Sequence, residues 1–136
     1  KGTVYGIDFI PELVAFSEKN MKKEDKDLID SDTVKFQVGD GWKGLPSKAP
    51  FDAIHVGAAA DNFPKNLMMQ LTVGGTMIVP VGPDGGLQSI YKIERLKESS
   101  KFYEDDFAVK RLIGVRYVPL VHPGESRDEA THTIYG

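Results

Sequence analysis

Apolar positions along the chain fall in short blocks separated by polar or glycine- and proline-containing breaks, and the spacing within each block sorts helix from strand. Residues 3–8 (TVYGID) predict a short buried strand that ends in an acid. In residues 11–23 (PELVAFSEKNMKK), Pro11 suits a first helical turn and Glu12 stands beside it at the positive end of the dipole. Leu13, Phe16 and Met21, with Val14 flanking, share one face, so this segment predicts a helix packed on a sheet. Residues 25–32 (DKDLIDSD) read as a polar connection. VKFQVGD, residues 34–40, is a second strand; FDAIHVGAA, residues 51–59, is a third, apolar enough to predict cover on both faces. NFPKNLMMQL predicts a short helix with Asn62 or Asp61 as its cap, broken by the VGG at 73–75, and TMIVPVG a fourth buried strand.

Beyond residue 86 polar and apolar or aromatic residues alternate. LQSIYKIERLK and KFYEDDFAVKRL predict an antiparallel pair that turns at Glu98 to Ser100. GVRYVPL extends the last strand or crosses the carboxyl edge of the sheet, and residues 123–136 form a polar tail. Strand–helix–strand–strand–helix–strand followed by a hairpin predicts an open α/β sheet with helices on its faces, occupying residues 1–122. In such sheets ligands bind outside the carboxyl ends of the parallel strands, here Asp8, Asp40 with Gly41, residues 57–60 and residues 82–86.

Composition narrows the chemistry. The 136 residues carry a net charge of −3, which gives no electrostatic case for nucleic acid or an anionic membrane. With no cysteine, disulfides, thiolate–metal sites and a cysteine nucleophile are excluded, and His55, His122 and His132 are too scattered to suggest a metal cluster. His55, on the third strand, reads as a buried structural histidine. The lysines of KNMKKEDK alternate with acids and read as a solvated helix end. No apolar run approaches a membrane span and no signal peptide opens the sequence, so a cytoplasmic location is expected. KGTVYGID begins abruptly, two residues before a strand, and is read as the start of a truncated or excised piece.

Gly39, Gly41 and Gly44 match the G-x-G-x-x-G spacing of a dinucleotide loop, the basis of a nicotinamide-dependent oxidoreductase reading. That loop needs a helix after the glycines, because the helix N-terminus holds the pyrophosphate. Pro46 and Pro50 disfavour one, so the spacing is expected to be incidental. Asp40 at a strand end can instead accept a hydrogen bond from an exocyclic amine, with Gly41 letting a flat ring approach, or simply close an Asp-Gly turn. Asp8 stands where doubly wound enzymes hold two ribose hydroxyls, or it caps the helix after it.

VYGIDFIPELV, VGDGWKG, FDAIHVGAAA, VGGTMIVPVGP and LIGVRYVPL, in that order, resemble the later motifs of protein-L-isoaspartate (D-aspartate) O-methyltransferases over residues 3–120. The resemblance implies a Rossmann-like methyltransferase sheet with a C-terminal antiparallel hairpin. It also implies S-adenosylmethionine as cofactor and, as substrate, the abnormal carboxylate of isoaspartyl residues in damaged proteins. It further implies that Asp8 binds the ribose, with Phe9 beside the cofactor, that Asp40 and Gly41 bracket the adenine, and that Val118 contacts the damaged peptide. Where the family usually has His after the ribose-binding Asp, this sequence has Phe9. The family's earlier part, with the first central strand, the glycine-rich cofactor loop and the region that receives the substrate carboxylate, has no counterpart here. The resemblance therefore implies that the catalytic groups lie outside this sequence, that the chain alone is inactive, and that a gap separates TVYGID from DAIHVG. Either those two strands pair directly or a partner chain supplies a strand; an unpaired edge there invites self-association. A non-catalytic remnant serving as an interaction module is the remaining alternative.

Overall fold

In the computed structural model, residues 2–83, 86–115 and 120 are described. The first strand, β1 (Val4–Asp8), runs straight into α1 (Pro11–Glu24), where Pro11 occupies the first turn and Lys22 and Lys23 the last. The helical face is looser than its periodicity predicts. Leu13, Val14 and Met21 are half-buried, but Phe16 is 55% exposed. The polar connection proves to be a second helix, α2 (Lys26–Asp30), with an exposed Lys26–Asp30 pair at 3.3 Å one turn apart. Leu28 and Ile29, half-buried, give this short helix a reason to pack that polarity alone hides.

Next come β2 (Val34–Val38), β3 (Phe51–His55), α3 (Lys65–Met68), β4 (Leu71–Val81), β5 (Gln88–Arg95) and β6 (Phe107–Val115). The N-cap position of α3 is Pro64, without a side-chain cap, so neither Asn62 nor Asp61 plays the expected part. The VGG does not break the chain before β4; it lies inside the strand. Phe51 pairs with Leu71 but Ala53 with Thr76, so the intervening residues of β4 bulge, and Gly74 takes the left-handed φ of 83°. The hairpin β5–β6 forms as predicted, though residues 96–106 connect it rather than a tight turn at Glu98.

The strands divide between two sheets. β1 and β2 pair in parallel, Val4 opposite Val34 through Asp8 opposite Val38. The other four form the order β3-β4-β5-β6, parallel in the first pair and antiparallel thereafter. Direct pairing of β1 with β3 does not occur. Each is the last strand of its own sheet, and between them runs a cleft of about 670 Å³ lined by Tyr5, Ile7, Ala53, His55 and Leu120 among others. Tyr5 and Phe51 meet across it edge to face, ring centroids 6.1 Å apart. The cleft also explains why β3 is not covered on both faces: Asp52, Ala53 and His55 are exposed. His55 is thus not the buried histidine expected of it.

The core belongs to the four-stranded sheet. Leu71, Met77, Val79 and Ile93 are wholly buried, with Leu67 and Met68 of α3, Phe107 and Leu120 packed around them. At about 1.5–3 kcal/mol per buried apolar side chain, this cluster is where folding free energy concentrates. Phe102 stacks on Phe107 at 5.3 Å as hairpin packing requires, whereas Tyr103 is largely exposed. Residues 121–136, including the predicted domain boundary and tail, lie outside the described residues. No helix among the described residues is long and apolar enough to cross a membrane.

Candidate functional site

Asp8 ends β1 and is buried at 6% exposure. Its Oδ1 accepts the Ile10 N–H at 3.0 Å, closing the turn that leads into α1, and its carbonyl accepts the Gly39 N–H at 2.8 Å. The second bond fastens the tip of β1 to the residue just past β2. Asp40 follows Gly39, so the two acids stand on neighbouring tips of one parallel pair. Phe9, half-buried, comes directly after Asp8, and Gly41 directly after Asp40. Four of the five predicted site residues are therefore gathered on these two tips. The fifth, Val118, lies outside the described residues.

The loop that carries Asp40 is a tight turn. Asp40 Oδ1 accepts the Trp42 N–H at 2.9 Å, and its carbonyl accepts the N–H groups of Lys43 and Gly44 at 3.0 and 3.2 Å. No helix follows the glycines; residues 41–43 and 46–48 are turns. Gly44 takes φ 62°, a position in this turn rather than in a pyrophosphate cradle. The dinucleotide fingerprint therefore lacks its anion-holding helix end. Asp40 plays the Asp-Gly turn role that was its alternative to ligand binding, whereas Asp8 closes a turn at Ile10 and does not cap α1, whose N-cap is Ile10 without a side-chain bond.

Two features escaped the sequence reading. Gln70, buried, reaches from the end of α3 to the Asp40 loop, donating from Nε2 to the Lys43 carbonyl at 2.8 Å and accepting the Leu45 N–H on Oε1 at 2.9 Å. Trp42 donates from Nε1 to the Leu120 carbonyl at 3.3 Å, while the Leu120 N–H donates to the Ala59 carbonyl, just past β3, at 2.7 Å. Leu120 thereby brings the loops after β2 and β3 to the same side of the molecule. Neither partnership has a local signal; a buried glutamine beside a glycine turn is the nearest hint.

The cleft reaches Gly41 and Leu120 at this end, and His55, Lys48 and Asp52 add polar groups along it. A separate hollow of about 390 Å³ between α1 and the β1–β2 pair backs onto Asp8. Among the described residues no cluster of His, Asp or Glu could hold a metal ion. What the tips offer is acceptor groups for hydroxyls and an amine, beside a half-buried aromatic ring; they offer no paired nucleophile and base.

Parallel strands with acids at their carboxyl tips, helices on their faces and an antiparallel hairpin at one end make this a Rossmann-like methyltransferase fold. The chain belongs to the protein-L-isoaspartate (D-aspartate) O-methyltransferase family, whose model matches residues 1–125. It is 43% identical over 121 residues to a protein-L-isoaspartate O-methyltransferase of Thermococcus onnurineus, covering 89% of this chain and 50% of the relative. Against the Caenorhabditis elegans enzyme of that name it is 40% identical over 130 residues, covering 94% and 52%. A solved protein-L-isoaspartate O-methyltransferase from Plasmodium falciparum, in complex with S-adenosyl-L-homocysteine, superposes with a TM-score of 0.72 at 28% identity, covering 88% of this chain and 52% of that one. The chain spans about half the length of the relatives it matches.

Proposed function

We propose that this chain is the later segment of a protein-repair methyltransferase that uses S-adenosylmethionine to methylate the free carboxylate of L-isoaspartyl and D-aspartyl residues in damaged proteins. The observation that carries the reading is the pair of acids on neighbouring strand tips, joined by the Gly39 N–H to Asp8 carbonyl bond, in a chain of this family. A nucleoside fits that arrangement: Asp8 takes the ribose hydroxyls, Asp40 the adenine amine, Phe9 packs beside the cofactor, and Gly41 leaves the ring room to approach. When bound, the cofactor supplies a methyl group already activated on a positive sulfur. The protein's part is to hold carboxylate and methyl donor in line and keep water away, so positioning is the main catalytic term. Val118 contacts the damaged peptide in this reading.

The open cleft beside β3 and the match to about half the length of the relatives named above both support the expectation that these residues alone do not turn over. Transfer of isotopic methyl from S-adenosylmethionine to an isoaspartyl peptide should stay at background with this chain by itself. Robust transfer would refute the inactivity and place the catalytic groups within these residues. The unpaired edges of β1 and β3 are the surface through which the chain would self-associate. Sedimentation over a concentration series should then show mass rising above 15.0 kDa; a concentration-independent monomer would remove that reading. The oxidoreductase alternative has no comparable support, since the glycines form a turn.

A further inference from the structure

We propose that Trp42 is a positioning residue whose indole N–H holds the backbone at Leu120, fixing Leu120 relative to the loop that carries Asp40. That the Asp40 loop is the adenine side rests on the function proposed above; the latch itself rests on geometry.

Leu120 is held at three points. Its N–H donates to the Ala59 carbonyl at 2.7 Å, past the end of β3. Its carbonyl accepts from Trp42 Nε1 at 3.3 Å, past the end of β2. Its side chain, 7% exposed, lies so close to Gly41 that a Cβ there would sit 3.3 Å from Leu120 Cδ1. Trp42 is in turn oriented by its own N–H, which donates to Asp40 Oδ1 at 2.9 Å. A continuous path thus runs from the Asp40 carboxylate through the Trp42 backbone and indole to the Leu120 carbonyl, two residues beyond Val118. Leu120 joins the core of the four-stranded sheet, and Trp42 packs against that core from the loop of the other sheet. The latch therefore ties together two sheets that the cleft holds apart. Its consequence is linkage: a ligand that orders the Asp40 turn also orders the backbone at Leu120, through one contact.

Trp42→Phe keeps an aromatic body on the core and deletes the donor. Amide exchange followed by NMR should show the Leu120 N–H exchanging about fivefold faster in the variant, the size expected for one ordinary hydrogen bond. The Val79 and Ile93 amides of the core should keep their wild-type rates. An indole that serves only as packing would leave Leu120 unchanged, and that result overturns the proposal. Gly41→Ala pushes on Leu120 from the other side and should speed exchange of the Trp42 indole N–H, a single resonance because the chain has one tryptophan. An unmoved indole rate also counts against the latch. Adding S-adenosylhomocysteine separates the two ideas. Slowing at both Asp40 and Leu120 in wild type, but not at Leu120 in Trp42→Phe, supports the linkage. Slowing at Asp40 alone in wild type overturns the linkage and leaves the cofactor reading standing. A fast Leu120 in Trp42→Phe with no response to S-adenosylhomocysteine anywhere supports the latch and counts against the cofactor reading for this chain.

Discussion

Replacing Arg95 by alanine should lower the stability of the chain by about 3 kcal/mol, a large fraction of the ~5–15 kcal/mol that ordinary domains possess. Arg95 is 5% exposed at the end of β5. Its Nη1 donates to the carbonyls of Met69 and Leu71 at 2.9 and 2.8 Å, and its Nε to the Lys97 carbonyl at 3.2 Å. Its guanidinium also stands 5.8 Å from the centre of the Phe107 ring. One side chain thus joins the end of α3, the start of β4 and the hairpin connection. Alanine would strip these carbonyls of a charged donor and leave a hollow; the recovered cost of burying a cation offsets part of the loss. Arg95→Met, which fills the space but donates nothing, should cost about half as much. Urea unfolding measures both, as a lower midpoint with an unchanged slope. A midpoint within error of wild type for alanine would mean that the hairpin is anchored elsewhere.

Gly44→Ala should be nearly as damaging, by about 2–3 kcal/mol, and should also disturb the Asp40 loop. Two costs combine. At φ 62° any side chain is strained, by about 1–2 kcal/mol for an alanine held in the left-handed region. The new Cβ would also press on Gln70 Oε1 and on Leu67 Cδ2, the latter at 2.7 Å. Gln70 cannot yield without releasing the Lys43 carbonyl and the Leu45 N–H, so the turn that presents Asp40 loosens with it. The check is a urea midpoint together with exchange of the Leu45 amide, which should quicken more than those of the core. A neutral substitution would show that the loop can relax without Gln70.

The contrast between these positions and the tip acids shows what a linear reading can reach. β1, α1, β2 and the hairpin were legible because period and punctuation are local properties. The positions of Asp8 and Asp40 were legible because an acid at a strand end is itself a local pattern; that Asp8 closes a turn at Ile10 instead of capping α1 was not. The break between β1 and β3 was implied by the family resemblance and not by period or punctuation, since which strands pair depends on contacts far apart in sequence. The helix at Lys26 was hidden by its charges, and the bulge at Gly74 by glycines that usually end an element. Trp42 and Leu120 are 78 residues apart and Gln70 and Leu45 are 25 apart, so only the folded chain brings them together. His55 was misjudged for a related reason. Its strand is apolar enough to be buried, yet the cleft beside it leaves the imidazole exposed.

At the root of the account stands a single idea, that one adenosine spans the ends of the first two strands and answers to both acids at once. NMR titration of the chain with S-adenosylhomocysteine tests it most directly. The amides at Asp8 to Ile10 and at Asp40 to Trp42 should shift together along one isotherm, weakly, with a dissociation constant of about 1 mM or above, and Asp40→Asn should weaken both sets of shifts equally. Shifts at one tip only, two separate isotherms, or a response to NAD in place of S-adenosylhomocysteine would contradict it.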